Sequence, residues 1–243
     1  MTRPTLVLLH GVGLDHTMWE SVAELLAADF EVVTPDLPGH GARPPAPEGT
    51  TLSDLADGVV DAVPPGSHLV GFSLGALVAQ HLALHRPELV RTLTSVSSVC
   101  RRTPAEREAV LSRMTTAEAD FGAATALSLQ RWYDGTGVAP AVVERTRATL
   151  LANDVASFLS CYRVFATGDA EIGPELGRIT VPALAITGAE DPGSTPEMTQ
   201  RLAEALPDCR AVIVPGARHM LPVEQPRQFV NHLTTFIGED AHV

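Results

Sequence analysis

The sequence contains no lysine, and all 17 of its basic residues are arginine. A Schiff base with a substrate carbonyl or with pyridoxal phosphate needs a lysine amine. The glycine-rich phosphate-binding loop that carries the G-K-[ST] motif needs a lysine as well. The missing lysine therefore excludes all three kinds of site.

Basic residues are also few in comparison with acidic residues. There are 17 of the first and 29 of the second, which gives a formal net charge of −12 at pH 7. A protein with this charge repels the phosphate backbone of nucleic acids and the surface of anionic lipid. We expect neither a nucleic acid nor a membrane as a partner.

Cysteines and long apolar runs are scarce too. The three cysteines, Cys100, Cys161 and Cys209, form an odd set without metal-ligand spacing, which indicates reduced structural thiols in a reducing cytoplasm. The first apolar run, residues 5–9, is too short for a signal peptide and ends at His10-Gly11. No run approaches the ~20 apolar residues of a membrane-spanning helix. We expect a cytoplasmic protein, and no oligomeric state is predicted.

Short apolar runs alternate with segments of helical periodicity along a chain whose 243 residues fit one domain. Continuous apolar runs separated by helices are typical of a parallel sheet that is covered on both faces, an α/β fold. We predict six strands, at residues 5–9, 30–33, 68–70, 93–97, 183–187 and 211–214. The helices predicted between and after them cover residues 19–27, 52–63, 75–85, 197–205 and 227–236.

Residues 101–175 interrupt this alternation because they contain no convincing strand. They are predicted to form four short helices, at residues 104–114, 117–130, 139–152 and 155–167. A helical block between two strands of such a sheet is most simply an inserted lid. We therefore expect a core domain made of residues 1–100 and 176–243 and a helical lid made of residues 101–175.

The segment Gly71-Phe72-Ser73-Leu74-Gly75 lies between the third predicted strand and the helix that follows it. A G-x-S-x-G sequence in a strand-to-helix turn is a nucleophile elbow, whose strained backbone exposes the serine hydroxyl above the sheet. Gly71 and Gly75 let neighbouring backbone approach without Cβ clashes. We predict Ser73 as a catalytic nucleophile, and the alternative is a serine in a glycine-flanked turn without a catalytic role.

Two backbone N–H groups are candidates for binding the negative charge that develops on a substrate oxygen. In this architecture the residue after the nucleophile supplies one donor, and the loop after the first strand supplies the other. The predicted oxyanion donors are therefore Leu74 and Val12, of which the second lies in His10-Gly11-Val12-Gly13. The alternative for this loop is an ordinary strand-to-loop turn.

An aspartate and a histidine follow the last two predicted strands. Asp191 lies at the carboxyl edge of the sheet, where sites of α/β proteins form, and Glu190 is its rival. His219 follows the sixth strand and the turn Pro215-Gly216. We predict His219 as the general base and Asp191 as the acid that orients it, with a solvated or helix-capping acid as the alternative for Asp191. This chemistry requires no metal and no organic cofactor.

Together these residues resemble the α/β-hydrolase superfamily over nearly the whole chain. The resemblance rests on His10-Gly11 with Trp19 downstream, on Asp36-Leu-Pro-Gly-His-Gly41, on the elbow and on the aspartate and histidine loops. The order Ser73, Asp191, His219 is the one that this fold uses. The resemblance implies an α/β-hydrolase fold with a doubly wound sheet, and acyl transfer to water through an acyl-enzyme on the serine.

The predicted lid resembles that of 3-oxoadipate enol-lactonases and related carboxylesterases. Its marks are Arg131-Trp132-Tyr133, the segment from Ser160-Cys161-Tyr162 to Asp169, and His219 with Glu224-Gln225-Pro226. The resemblance implies a small-molecule ester or lactone as the substrate. Because enol-lactone substrates carry a carboxylate, Arg131 becomes the candidate that pairs with one, and the alternative is a salt bridge within the lid. The candidates for apolar pocket walls, or else for packing inside the lid, are Trp132, Tyr133, Phe158 and Tyr162.

Other functions use the same fold. Haloalkane dehalogenases and epoxide hydrolases use a nucleophilic aspartate, and Ser73 argues against both. Hydrolysis of a C–C bond in dienoic ketoacids and cofactor-free perhydrolysis would use the same three residues, so both remain alternatives. A ligand-binding protein built on this fold is a further alternative.

Many members of the superfamily begin with an antiparallel hairpin, which needs about 12–15 residues. Only Met1-Thr-Arg-Pro4 precedes the first predicted strand. We therefore predict a sheet of six parallel strands in the spatial order 2-1-3-4-5-6, with the second strand at its edge. The first and third strands are then neighbours at the switch point, so that Val12 and Ser73 converge on one crevice.

Overall fold

The structure of the protein is a computed structural model that describes residues 3–240. Residues 1, 2 and 241–243, which the predicted core domain includes, lie outside the described residues. Six strands form one sheet. They are β1 (Thr5–Leu9), β2 (Glu31–Val33), β3 (Ser67–Phe72), β4 (Val90–Val96), β5 (Ala183–Gly188) and β6 (Cys209–Val214).

The order of the strands in the sheet is β2-β1-β3-β4-β5-β6, and every neighbouring pair is parallel. The predicted α/β-hydrolase fold with six parallel strands in this order is confirmed. The short strand β2 forms the edge next to β1, and within residues 3–240 no antiparallel strand lies beyond it. The carboxyl ends of β1 and β3 are adjacent, since Leu9 pairs with Gly71.

Helices cover both faces of the sheet and also form an insertion between β4 and β5. The helices of the two faces are α1 (Glu20–Leu26), α2 (Leu52–Asp57), α3 (Leu74–His85), α8 (Pro196–Ala205), α9 (Leu221–Glu224) and α10 (Pro226–Asp240). Those of the insertion are α4 (Pro104–Ala119), α5 (Phe121–Tyr133), α6 (Pro140–Leu151) and α7 (Val155–Ile172).

The side chains of the strands alternate between two core layers. Val7 and Leu9 pack in the layer that contains α3, whereas Leu6 and Leu8 pack with Trp19 at the start of α1 and with α10. Successive side chains of a strand point to opposite faces, and the helices on both faces bury nearly every side chain of the inner strands β1, β3, β4 and β5. This accounts for the unbroken apolar runs of the sequence and fixes the carboxyl edge of the sheet as a rigid platform.

The boundaries inside the insertion differ from the prediction most clearly at Asp120. Residues 117–130 were expected to form one helix, but α4 continues to Ala119 and α5 begins at Phe121. Asp120 causes the break because its side chain accepts a hydrogen bond of 2.8 Å from the N–H of Ala123, which caps α5. The other three predicted helices of the insertion are present, with ends shifted by a few residues.

No helix within residues 3–240 combines the length and the apolar character that crossing a bilayer requires. The three cysteines are all free, and two of them, Cys100 and Cys161, are buried. Burial raises the pKa of Cys161 to about 12, so that its thiol is an unreactive packing group.

Candidate active site

Ser73 lies in the sharp turn between β3 and α3. Its φ of 54° and ψ of −110° put a residue with a side chain in a strained backbone conformation. Close packing holds this strain in place. A Cβ on Gly71 would lie 2.1 Å from the carbonyl oxygen of Gly75, and a Cβ on Gly75 would lie 2.5 Å from that of His10. Both glycines of the elbow are therefore required by the packing around the serine.

The loop after β1 is fixed by the buried side chain of His10. The N–H of Leu37 donates to Nε2 of His10 at 2.9 Å, and Nδ1 donates to the carbonyl oxygen of Gly11 at 2.8 Å. These two bonds require a neutral ring. Burial, followed by the charge of His40, lowers the pKa of His10 from 6.5 to about 3. The loop is thus held by an uncharged histidine.

Val12 and Leu74, whose N–H groups are the predicted oxyanion donors, both lie beside Ser73. A Cβ on Gly11 would lie 3.3 Å from the Cβ of Ser73, so the loop after β1 touches the elbow. Val12 follows in that loop and lines the same cavity as Ser73. Leu74 is the first residue of α3, and its N–H therefore has no acceptor within the helix. The structure brings both residues to the elbow.

Asp191 is buried in the loop after β5, and its carboxylate has several donors. Oδ2 accepts from Nδ1 of His219 at 2.7 Å, and Oδ1 accepts from the N–H groups of Gly193 at 2.8 Å and Ser194 at 2.9 Å. These bonds fix the orientation of the carboxylate. Glu190, the rival acid in the sequence, has an exposed side chain.

His219 is held on three sides in the loop after β6. Besides the bond from Nδ1 to Asp191, its main-chain carbonyl oxygen accepts from Oγ of Ser97 at 2.9 Å. The ring of Phe72, the residue before Ser73, lies 5.0 Å from the imidazole between centroids. Because Nδ1 donates to the carboxylate, Nε2 is the nitrogen that can accept a proton.

One cavity joins these groups to the insertion. The predicted residues that line it are Val12, Ser73, Arg131, Trp132, Phe158, Tyr162, Asp191 and His219. Tyr133 is not among them, because its side chain is buried in the core and its hydroxyl lies 3.0 Å from Oγ1 of Thr146. Successive residues of an α-helix point about 100° apart. The turn of α5 that directs Trp132 to the cavity therefore directs Tyr133 away from it.

Arg131 and Trp132 approach the site in different ways. The indole of Trp132 stacks on the ring of His219, with centroids 5.6 Å apart. Arg131 donates to the carbonyl oxygen of Leu127 at 3.3 Å and to Oγ of Ser128 at 3.0 Å. The salt bridge within the lid that the sequence left open does not occur among the described residues.

The cavity also has walls that the sequence analysis did not name, among them Arg113, Phe121 and Phe165. Phe165 lies on the same face of α7 as Phe158 and Tyr162, and their i, i+4, i+7 spacing is a signal that could have found it. The sequence carries no comparable signal for Arg113 or Phe121, because the packing of α4 and α5 determines which of their faces meets the cavity.

Metal ligation is not suggested by the side chains of residues 3–240. No group of three or more histidine, cysteine or acidic side chains in this part of the chain is placed to hold a metal ion. The acidic side chain that lines the cavity, Asp191, is already bonded to His219.

Known proteins are similar to this chain in sequence. The sequence profile of the alpha/beta hydrolase family matches residues 6–232. An (E)-2-((N-methylformamido)methylene)succinate hydrolase from Acinetobacter baylyi is 30% identical over 227 residues, which cover 92% of this chain and 86% of that protein. A pimeloyl-[acyl-carrier protein] methyl ester esterase from Aeromonas salmonicida is also 30% identical, over 97% of this chain and 96% of its own length.

The similarity extends to a solved structure. The crystal structure of the enol-lactonase from Burkholderia xenovorans matches this fold with a TM-score of 0.87 and 26% identity, over 98% of this chain and 92% of that one. This neighbour supports the resemblance to enol-lactonases that the insertion suggested. With a family profile that spans nearly the whole sequence, a matching sheet and a serine elbow, the chain belongs to the alpha/beta hydrolase family.

Proposed function

We propose that this protein hydrolyses a carboxylic ester or a lactone of a small molecule through an acyl-enzyme on Ser73. The observation that carries the proposal is the bond of 2.7 Å between Nδ1 of His219 and Oδ2 of Asp191, in the cavity that Ser73 also lines. A histidine that is oriented by a buried carboxylate, beside a serine in a strained turn, is the arrangement that activates a serine nucleophile.

Each of these groups has a defined role in the reaction. Oγ of Ser73 attacks the substrate carbonyl while Nε2 of His219 takes its proton, and Asp191 stabilises the imidazolium that forms. The N–H groups of Val12 and Leu74 bind the oxyanion, and one such donor is worth about 10²–10³ in turnover rate. His219 then protonates the leaving alcohol. Water attacks the acyl group in a second step, which releases the acid and restores the serine.

The insertion supplies the substrate pocket in this proposal, so that residues 101–175 act as a lid on the core. Trp132, Phe158 and Tyr162 suit the apolar part of a small substrate, and Arg131 suits a carboxylate of that substrate. The methyl ester esterase and the enol-lactonase named above support an ester or a lactone as the substrate. The free cysteines fit the predicted location in the reducing cytoplasm.

A hydrolysis panel tests the proposal. Short p-nitrophenyl esters, simple lactones and an enol-lactone are offered to the wild type, to Ser73→Ala and to Ser112→Ala, a control on the exposed face of α4. We expect turnover of at least one class by the wild type and the control, and a loss of at least about 10³-fold in Ser73→Ala. Equal turnover by Ser73→Ala and the wild type would overturn the proposal.

A further inference from the structure

The arginines on the helices of the insertion fall into two groups. Four of them pair with a carboxylate: Arg107 with Asp169 at 3.0 Å, Arg145 with Glu20 at 3.2 Å, Arg147 with Glu144 at 3.2 Å and Arg163 with Glu118 at 3.7 Å. The other two are Arg113 on α4 and Arg131 on α5, and among the described residues no carboxylate pairs with either. Among the described residues, every arginine on the helices of the insertion therefore has its charge balanced by a carboxylate, except at these two positions.

Both unpaired arginines line the cavity that Ser73 and His219 line. Each is half-buried. The two bonds that Arg131 donates go to neutral oxygens, on Leu127 and Ser128. Burial, followed by the positive charge of Arg113, lowers the pKa of Arg131, whereas Tyr162 and Asp191 act on it in the opposite direction. A guanidinium stays protonated under such shifts, so the cavity holds two positive charges in mutual repulsion.

Among the described residues, the lining of the cavity supplies no carboxylate that is free to form a salt bridge with these two charges. Asp191 is the one acidic side chain among the described residues of its lining, and the bonds to His219, Gly193 and Ser194 already engage it. The chain as a whole carries a net charge of −12, so a positive cavity is a local feature that its composition does not explain. Two like charges in a partly desolvated site are stabilised when an anionic ligand enters.

We propose that Arg113 and Arg131 form a two-guanidinium subsite that selects substrates with two carboxylates in addition to the ester or lactone bond that is cleaved. The inference rests on the proposed function, since Ser73 and His219 line the same cavity as the two arginines. A substrate with one carboxylate compensates only one of the two charges, whereas a dicarboxylate compensates both.

The rest of the cavity agrees with such a substrate. Most of the other side chains that line the cavity are apolar, and Phe121, Phe158 and Phe165 are among them. A short hydrocarbon link between the carboxylates and the reacting carbonyl suits these walls. The relative from Acinetobacter baylyi is named as the hydrolase of a succinate, which is a compound with two carboxylates.

The first test compares three methyl esters that share the scissile bond and differ in charge. They are dimethyl glutarate without a carboxylate, monomethyl glutarate with one, and a monomethyl ester of tricarballylic acid with two. The enzymes are the wild type, Arg113→Gln, Arg113→Lys and Arg163→Gln. The last is a matched control, because Arg163 is exposed on α7 and is not part of the cavity lining.

The wild type and Arg163→Gln are expected to prefer the ester with two carboxylates. Arg113→Gln should lose at least about tenfold in kcat/KM for that ester, mainly through KM, and much less for the neutral ester, because one charge-assisted contact is worth about that much. Arg113→Lys should keep part of the preference, since it keeps the charge but loses the planar fork. Equal losses on all three esters would overturn the inference.

A binding measurement separates the subsite from the hydrolysis. Glutarate and butyrate are titrated calorimetrically into Ser73→Ala and into the double variant with Arg113→Gln. Glutarate should bind at least about tenfold more tightly than butyrate to the first protein and lose this advantage in the second. If glutarate binds in this way while the wild type cleaves none of the esters, the proposed function fails and the subsite stands. If the advantage survives Arg113→Gln, or is absent from Ser73→Ala, the subsite is wrong whatever the hydrolysis shows.

Discussion

The indole ring of Trp132 stacks on the imidazole ring of His219, with their centroids 5.6 Å apart and their planes inclined by 25°. A second contact joins the same two segments, since the guanidinium of Arg218 donates to the carbonyl oxygen of Arg131 at 3.0 Å. One helix of the insertion is therefore attached to the histidine loop by a ring stack and a hydrogen bond. The insertion lines the cavity and also contacts the proposed general base, so we expect it to influence the position of that base.

Trp132→Ala should reduce kcat/KM by roughly tenfold, because an aromatic stack contributes about 0.5–1.5 kcal/mol beyond its buried area. Part of the loss should fall on kcat, since the ring that is released belongs to the proposed base. Steady-state kinetics on a neutral ester measure both parameters. Trp132→Phe keeps an aromatic face and should retain most of the activity. A loss confined to KM would show that Trp132 is a pocket wall with no effect on His219.

The second prediction concerns the two neighbouring acids after β5. Asp191→Asn should lower kcat by about 10⁴-fold, as expected when the orienting carboxylate of a triad is replaced by an amide. Glu190→Gln is the matched control and should keep nearly full activity, because the side chain of Glu190 is exposed. The kcat values of the two variants, compared with that of the wild type, show which of the two acids orients His219. A small loss in Asp191→Asn together with a large loss in Glu190→Gln would reverse the assignment.

The third prediction concerns a buried ion pair that ties the start of the insertion to α7. The carboxylate of Asp169 lies 2.7 Å from the guanidinium of Arg102, and their side chains are 0% and 1% exposed. Asp169→Asn leaves the arginine buried without its counter-ion, which should cost about 3–5 kcal/mol in the free energy of unfolding. Urea denaturation measures this cost. The exposed pair of Arg147 and Glu144 supplies the control, because Glu144→Gln should change the stability by less than about 1 kcal/mol.

The fourth prediction concerns acid stability and follows from His10. Its pKa falls from 6.5 to about 3 in the fold because the ring is buried. The unfolded chain therefore binds a proton that the fold excludes as the pH drops from 6.5 towards 3, and the stability present above pH 6.5 is lost over this window. The contribution is up to about 1.4 kcal/mol per pH unit.

The free energy of unfolding is measured at several pH values between about 6.5 and 5, a range in which few carboxylates titrate, and its slope against pH is determined. His10→Gln should flatten it. Some slope should remain, since burial also lowers the pKa of His40. Identical slopes in the wild type and in His10→Gln would contradict the account of the loop after β1.

The sequence was sufficient for those parts of the site that parallel strands position. Ser73, Asp191 and His219 each follow a strand, and the carboxyl ends of parallel strands meet at one edge, so their convergence follows from the order of the strands. The apolar runs located the strands, whereas the strand order was predicted from the resemblance to the α/β-hydrolase superfamily.

The insertion was less predictable because packing between helices, not local pattern, sets its geometry. Trp132 and Tyr133 are adjacent in the sequence, yet one lines the cavity and the other is buried against Thr146. The rotation of α5 about its axis decides between them. Arg113 illustrates the same limit, since it lies on a polar helix whose facing neighbour is known only from the fold.

The central claim is that Ser73 is the nucleophile, and a fluorophosphonate probe followed by peptide mass spectrometry tests it most directly. The probe forms a stable bond with an activated serine, and His219 is needed for that activation. We predict a single adduct on the peptide that carries Ser73, loss of esterase activity in step with labelling, and much slower labelling of His219→Ala. Inactivation by the probe with Ser73 unmodified, or full turnover by Ser73→Ala, would contradict the account.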